Sequence, residues 1–340
     1  MLWLVVPLGV VIGVLGFGAI YQTLATNRDH RRFLPSGKLI EINNRSWHYQ
    51  DMGKGHPTVV VDSGTGGSHL DWQLVQPEVA KFTRILTYDR AGLGWSETSS
   101  EPRTAEQIVS ELRQLLKAVK IEPPYVLVGM SLGGLFTRLF AYYHPEEVAG
   151  MVLVDVTHER MYEDAPVEWV ELNKRLEGLL PHVLPIMGRT GLLRLLVNFD
   201  SLPMAAGVFQ KIPLSTRSLA KAFYSQTEFG KTFAQESAAV SVSMNQMEQI
   251  RQTKSFPDIP LVVLSAGKPD FDITQEVREK LQALHADLAN ESPKGVHIVA
   301  EESGHIIQLD KPEFVIDAIR QVVEKVRCSS AHNNSNAAER

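Results

Sequence analysis

Six short apolar runs, at residues 58–61, 84–87, 125–128, 151–154, 261–264 and 296–299, are rich in β-branched residues and show no polar alternation. A strand with one wet face alternates apolar and polar residues, so unbroken runs of this length mark strands buried on both faces. Helical patterns lie between several of them: 105–119, with Ile108, Leu112, Leu115 and Leu116 on one stripe, then 132–143, 274–288 and 312–326. Alternation of this kind builds an α/β fold, a mostly parallel central sheet flanked by helices and joined by right-handed crossovers. Runs at 39–42 and 46–51, separated by Asn43-Asn44-Arg45, predict a hairpin ahead of it. Residues 157–255 break the rhythm: they hold no convincing strand, carry apolar helical segments at 167–180 and 192–199, and predict a helical cap inserted between two strands. The core is then 36–156 with 256–327, and the polar stretch 329–340 is expected to be a disordered tail.

The first 27 residues contain no Asp, Glu, Lys or Arg, and 2–21 are almost wholly apolar, long enough to cross a ~30 Å hydrocarbon core as a helix. No basic residue precedes the run and Leu24-Ala25-Thr26 is a poor cleavage site, so an uncleaved transmembrane anchor fits better than a signal peptide. Arg28, Arg31 and Arg32 follow the span, and the positive-inside rule then puts the main domain on the cytoplasmic side. A secreted or periplasmic product and a buried core helix are the alternatives. Gly9 and Gly13 form a GxxxG, weak evidence for helix pairing.

Composition removes several classes of function. With 34 Lys+Arg against 39 Asp+Glu the formal charge is −5, so no basic field is available for a nucleic-acid backbone. Cys328 is the sole cysteine, which excludes an internal disulfide and a multi-thiolate metal site. There is no His-Glu-x-x-His for zinc. The glycines of 64–67 lack the Gly-Lys-Ser/Thr of a phosphate loop, and Gly92-x-Gly94 lacks the third glycine of a dinucleotide fingerprint. No metal or cofactor is expected.

Gly129-Met130-Ser131-Leu132-Gly133 is a G-x-S-x-G, a pattern that arises by chance in roughly one chain in ten of this length. Its context is what makes it specific: the strand-like run 125–128 leads into it and a helical pattern leaves it, as a nucleophile elbow requires. The backbone N–H of Leu132, at a helix N-terminus, would face a developing oxyanion. A second donor is expected from the loop after the run at 58–61, with Gly64 and Thr65 as candidates.

Gly129-Met130-Ser131-Leu132-Gly133-Gly134, together with Tyr88-Asp89-Arg90-Ala91-Gly92-Leu93-Gly94-Trp95-Ser96 and Ser303-Gly304-His305, resembles the α/β-hydrolase superfamily, specifically its serine-nucleophile, esterase- and lipase-like members with a helical cap. The resemblance runs from about residue 39 to residue 326. It implies that the Asp89-Arg90 segment shapes the floor of the site without joining the chemistry. Relatives that open epoxides or remove halide place Asp at the nucleophile position, and Ser131 argues against both.

A serine hydroxyl needs a neighbouring base to take its proton. His305 follows the run at 296–299 and precedes the helical pattern at 312, where the resemblance places the catalytic histidine. A carboxylate must hold the imidazole's other nitrogen. Asp270, in Gly267-Lys268-Pro269-Asp270, fits the loop that carries this acid in most relatives, but 35 residues separate it from His305. Asp155, closing the run at 151–154, resembles the arrangement of some lipases, and Asp272 is a third option. The expected activity is hydrolysis of carboxylic esters, with apolar small molecules or lipids as substrates. A ligand-binding or signalling role with little turnover, or lyase or perhydrolase chemistry on the same residues, stands as the alternative.

Overall fold

The computed structural model describes residues 2–270 and 273–338, with side chains described outside 2–12, 203–206 and 330–338. The strands are β1 (Lys38–Ile42), β2 (Arg45–Met52), β3 (Thr58–Asp62), β4 (Ile85–Tyr88), β5 (Tyr125–Met130), β6 (Val148–Val154), β7 (Leu261–Ala266) and β8 (Gly295–Ala300). They form one eight-stranded sheet in the order β1-β2-β4-β3-β5-β6-β7-β8. The β1–β2 and β2–β4 pairs are antiparallel and the rest are parallel. Asn43 and Asn44 turn the hairpin, both with φ near +55° (54° and 58°), a conformation Asn tolerates better than most residues.

The helices are α1 (Leu2–Arg32), α2 (Gln76–Val79), α3 (Ala105–Ala118), α4 (Leu132–Tyr143), α5 (Val167–Arg189), α6 (Leu192–Asn198), α7 (Pro203–Lys211), α8 (Leu214–Tyr224), α9 (Thr227–Ala238), α10 (Val240–Thr253), α11 (Gln275–Ala289), α12 (Ile307–Asp310) and α13 (Pro312–Ala338). Alternate strand residues serve opposite faces, which is why the runs are unbroken. Val60, Leu127, Met151, Leu153 and Val263 pack with Ile108, Leu112, Leu115 and Leu116 of α3 and with Leu135 and Leu139 of α4. Val59, Val61, Val126, Val128, Val152, Val154 and Val262 pack with Val315, Ile319, Val322 and Val323 of α13. Fully burying one such side chain contributes about 1.5–3 kcal/mol, so both faces of the sheet are needed to hold it. At the sheet edge, β8 is only half-buried, less than its apolar sequence suggests.

Between β6 and β7 the chain forms α5 to α10. The last of these belongs with the core: Met244 and Met247 pack into the α3–α4 face, and Ser243 accepts the first N–H of α3, from Ala105, at 3.0 Å. Thr104, the N-cap of α3, makes no side-chain cap bond of its own, so α10 supplies it.

One expectation changes. The polar stretch from Ser329 continues α13 to Ala338 instead of forming a disordered tail, because a helix already under way extends at the cost of one residue's freedom per added bond. Among the described residues no helix is long and apolar enough to cross a membrane. The expected span at 2–21 falls for half its length on residues whose side chains are outside those described. Asp272 also lies outside the described residues.

Candidate active site

The chain leaves β5 through Ser131, whose φ of +52° and ψ of −123° are strained for a residue with a side chain, and enters α4 at Leu132. The strain is held by hydrogen bonds: Ser131 N donates to Val154 O at 3.0 Å, and Gly134 N and Thr157 N both donate to Ser131 O at 3.0 Å. Two glycines make the approach of chains possible. A Cβ on Gly133 would collide with the carbonyls of Asp62 and Ser63, and one on Gly64 would lie 2.8 Å from Met130 Sδ and 3.2 Å from Ser131 Cβ. The loop after β3 is thereby brought against the serine, with Gly64 beside it and Thr65 half-exposed in an otherwise buried stretch.

His305 Nδ1 donates to Asp155 Oδ2 at 2.6 Å. Asp155 follows β6, the neighbour of β5, and the two strands pair in register up to Met130 and Val154, so Ser131 and Asp155 emerge side by side. Asp155 Oδ1 accepts from Ala266 N at 2.9 Å, and Arg278 of α11 donates Nη1 to both carboxylate oxygens, at 2.9 and 2.8 Å. Burial alone would raise the Asp155 carboxyl, but the hydrogen bond and charge of His305, with the Arg278 guanidinium, outweigh it and hold it well below the usual carboxylate range.

Asp270, the residue the resemblance favours for the imidazole, does something else. Its Oδ2 accepts from the backbone N of His305 at 2.8 Å, and Gly304 is packed against the same carboxylate. Gly304 N donates to Asp310 Oδ2 at 3.1 Å, and Gly267 and Lys268 donate to Ser303 O. Asp270 and Asp310 thus fix the loop that carries His305, while Asp155 meets its ring.

Arg90 ties this site to the helical insertion. Its Nε and Nη2 donate to the Glu236 carboxylate of α9 at 2.7 and 2.9 Å, Nη1 to Asp62 Oδ1 and Ser63 O at 2.6 Å, and Nη2 to Gly64 O at 2.6 Å. All five donors of the guanidinium are used. Glu236 Oε2 also accepts from Gly66 N at 2.9 Å. Burial would raise the Glu236 carboxyl, but Arg90 outweighs it and keeps it low. Above the loop, Phe209, Tyr224, Phe229 and Phe233 follow one another with ring centroids 5.1, 4.7 and 5.7 Å apart, and Phe233 closes on Gly66.

Among the described residues, His48, His69 and Asp89 bring metal-type donors together, as do His144, Glu146 and Glu147. In the first group both Nδ1 atoms donate to Asp89, at 2.7 and 2.9 Å, and the backbone N–H groups of His69 and Trp95 donate to it at 2.9 and 3.1 Å. The carboxylate is occupied, and the group braces the Gly-rich turn after β4.

His158, three residues past Asp155, is lowered to about 3 by burial, against the pull of Glu159. A histidine whose folded pKa lies below its unfolded value gives stability that is complete above about pH 6.5 and lost toward pH 3, at about 1.4 kcal/mol per pH unit. Asp71, pushed up to about 6 by burial, acts in the opposite sense between about pH 4 and 6. The clean measurement is therefore a difference. His158→Asn, which keeps an acceptor for Arg160 N, should flatten the pH dependence of the urea-unfolding free energy by about 1.4 kcal/mol per unit between pH 6 and 4. Parallel curves for the two proteins would show that His158 does not carry this term.

A parallel sheet whose central strand turns through a strained serine into a helix, with a histidine and an acid gathered at the ends of neighbouring strands, defines an α/β hydrolase. The chain belongs to the alpha/beta hydrolase family: the family model matches residues 59–318. It is similar to an uncharacterized Bacillus subtilis protein, YqjL, at 28% identity over 84% of this chain and 91% of the relative. An AB hydrolase superfamily protein of Gibberella zeae is 25% identical over 80% of this chain and 87% of the relative. Among solved structures, a putative lipase from Acinetobacter baumannii superimposes with a TM-score of 0.64 at 19% identity, covering 91% of this chain and 97% of the other. The enol-lactonase of Burkholderia xenovorans does so with 0.62 at 18% identity, covering 84% and 100%. At these identities the two structures speak for the fold.

Reading the sequence misses Arg278 and Glu236. Each is one charge on an otherwise ordinary amphipathic helix, and no local spacing connects either to residues more than a hundred positions away.

Proposed function

We propose that the protein is a serine hydrolase that cleaves carboxylic esters of apolar small molecules or lipids through an acyl-enzyme on Ser131. The observation that carries this reading is the 2.6 Å bond from His305 Nδ1 to the buried, ionised Asp155, beside a serine held in a strained turn. Ser131 Oγ attacks the ester carbonyl carbon and its proton passes to His305 Nε2, while the Asp155 carboxylate stabilises the imidazolium that forms. The carbonyl oxygen gains charge and is met by the backbone N–H of Leu132 and a donor from Gly64 or Thr65. His305 returns the proton to the leaving alkoxide, and a water activated in the same way releases the acid. The aromatic series ending at Phe233 supports an apolar substrate.

The test is covalent labelling of the full chain by a fluorophosphonate, with turnover of p-nitrophenyl esters measured alongside. Wild type should label and turn over, and Ser131→Ala should do neither; turnover that survives Ser131→Ala sinks the reading. We further infer that the protein attaches to a membrane through α1 as a single-pass anchor with the hydrolase domain on the cytoplasmic side. The apolar run at 2–21 and the three arginines that follow it support this.

A further inference from the structure

Along residues 13–32 of α1 the usual burial pattern is inverted. Phe17, Ile20 and Leu24, spaced to share one face, are 75%, 63% and 65% exposed, whereas Gln22 and Asp29 on the other side are 3% and 6% exposed. The polar face is the one that docks. Arg194 of α6 donates to Asp29 Oδ2 at 2.5 Å, to Gln22 Oε1 at 2.8 Å and to Thr26 Oγ1 at 3.2 Å, and Gln22 Nε2 donates to Ser225 O at 2.8 Å. In water, an amphipathic helix such as α1 buries the opposite face. The partner helix α6 is apolar on both sides: Leu193 and Val197 are buried with Arg194, while Leu192, Leu195 and Phe199 at the helix end face outward.

We propose that the outward faces of α1 and α6 form one lipid-embedded surface, so that the α5–α6 corner of the cap sits in the edge of the bilayer that holds α1. This rests on the reading of α1 as membrane-attached and adds the cap to it. Depth follows from the helix rise. Thr190 and Gly191, at that corner, pack against Gly18, and Gly18 lies inside the apolar run, about 5 Å before its end at Tyr21. Arg28, Arg31 and Arg32 are exposed about 10–16 Å further along the helix, at the level of lipid phosphates. An occupant apolar beside Phe17 and Leu195 and anionic beside these arginines is a phospholipid bilayer. The inner face of α6 is equally telling: Leu193 and Val197 belong to the packing that includes Phe209, Phe223 and Met130, the neighbour of Ser131. The helix is thus a wall with lipid on one side and the apolar surroundings of the site on the other. The substrate class this favours is an ester already dissolved in the membrane.

The experiment uses the full chain with Cys328→Ser in phosphatidylcholine–phosphatidylglycerol vesicles. Leu195→Cys, Phe199→Cys, Phe17→Cys and Lys117→Cys carry an environment-sensitive fluorophore, with brominated lipid as quencher. The expected result is blue-shifted emission at 195 and 199, quenched to the same extent as at 17, and water-like, unquenched emission at 117. Quenching at 17 but water-like emission at 195 and 199 overturns the cap surface and leaves the anchor standing. Blue-shifted emission at 195 and 199 without quenching means a protein covers the face, and also overturns it. Loss of quenching at 17 removes the anchor and this proposal together, and none of these results depends on whether esters are turned over.

Discussion

Asp155→Asn should lower ester turnover by about 10⁴-fold, the loss that follows when an amide replaces the acid of a serine triad and the imidazole is left in the wrong tautomer. Asp270→Asn should cost less than about tenfold, because the amide oxygen can still accept the His305 backbone N–H and the ring is not touched. The two carboxylates lie on the same histidine and differ only in which of its atoms they meet, so the pair is the discriminating comparison. Asp155→Asn also leaves the buried Arg278 guanidinium facing a neutral amide, with the Asp270 carboxylate at the longer distance of 3.5 Å, so the double variant with Arg278→Met should regain part of the lost stability without regaining activity. The steady-state rates of the variants, with circular dichroism to confirm folding, decide it; a larger loss in Asp270→Asn would move the acid one strand along the sheet.

Arg90→Met should destabilise the protein by about 3–5 kcal/mol, since it leaves the carboxylates of Asp62 and Glu236 buried without their cation. It should also reduce turnover by at least about 10²-fold, the usual effect of losing an oxyanion donor, because the carbonyls of Ser63 and Gly64 lose what holds them. Adding Glu236→Gln removes one stranded charge and should restore part of the stability, with a coupling of about 1–3 kcal/mol in a double-mutant cycle by urea unfolding. Additive losses would mean the two side chains do not act as a unit.

The sheet was legible because both of its faces are covered, so each interior strand had to be apolar at every position, as Val59 to Val61 and Val126 to Val128 are. Ser131 and His305 could be found because their chemistry is tied to local chain geometry: a glycine-flanked turn between strand and helix, and a short loop after the last strand. The acid was ambiguous for a physical reason. Asp155 directly follows β6 and Asp270 lies on the loop four residues past β7, yet both reach the same histidine, and which of its atoms each one meets is not encoded in sequence spacing. Arg90 stood in a recognisable segment, but its partner Glu236 lies 146 residues away. The orientation of α1 was hidden in another way: an apolar stripe in sequence does not say which face meets protein, and here the polar one does.

The insertion departs from the sheet two residues beyond Asp155, and each residue at that root is fastened. Asp155 N donates to Leu264 O at 2.8 Å, Val156 O accepts from His285 Nε2 at 2.7 Å, and Thr157 N donates to Ser131 O at 3.0 Å. In mechanical terms, the door is hung on a post mortised into the frame. The carboxylate that meets His305 is therefore positioned by the sheet, by α11 and by the serine turn before the first helix of the insertion begins.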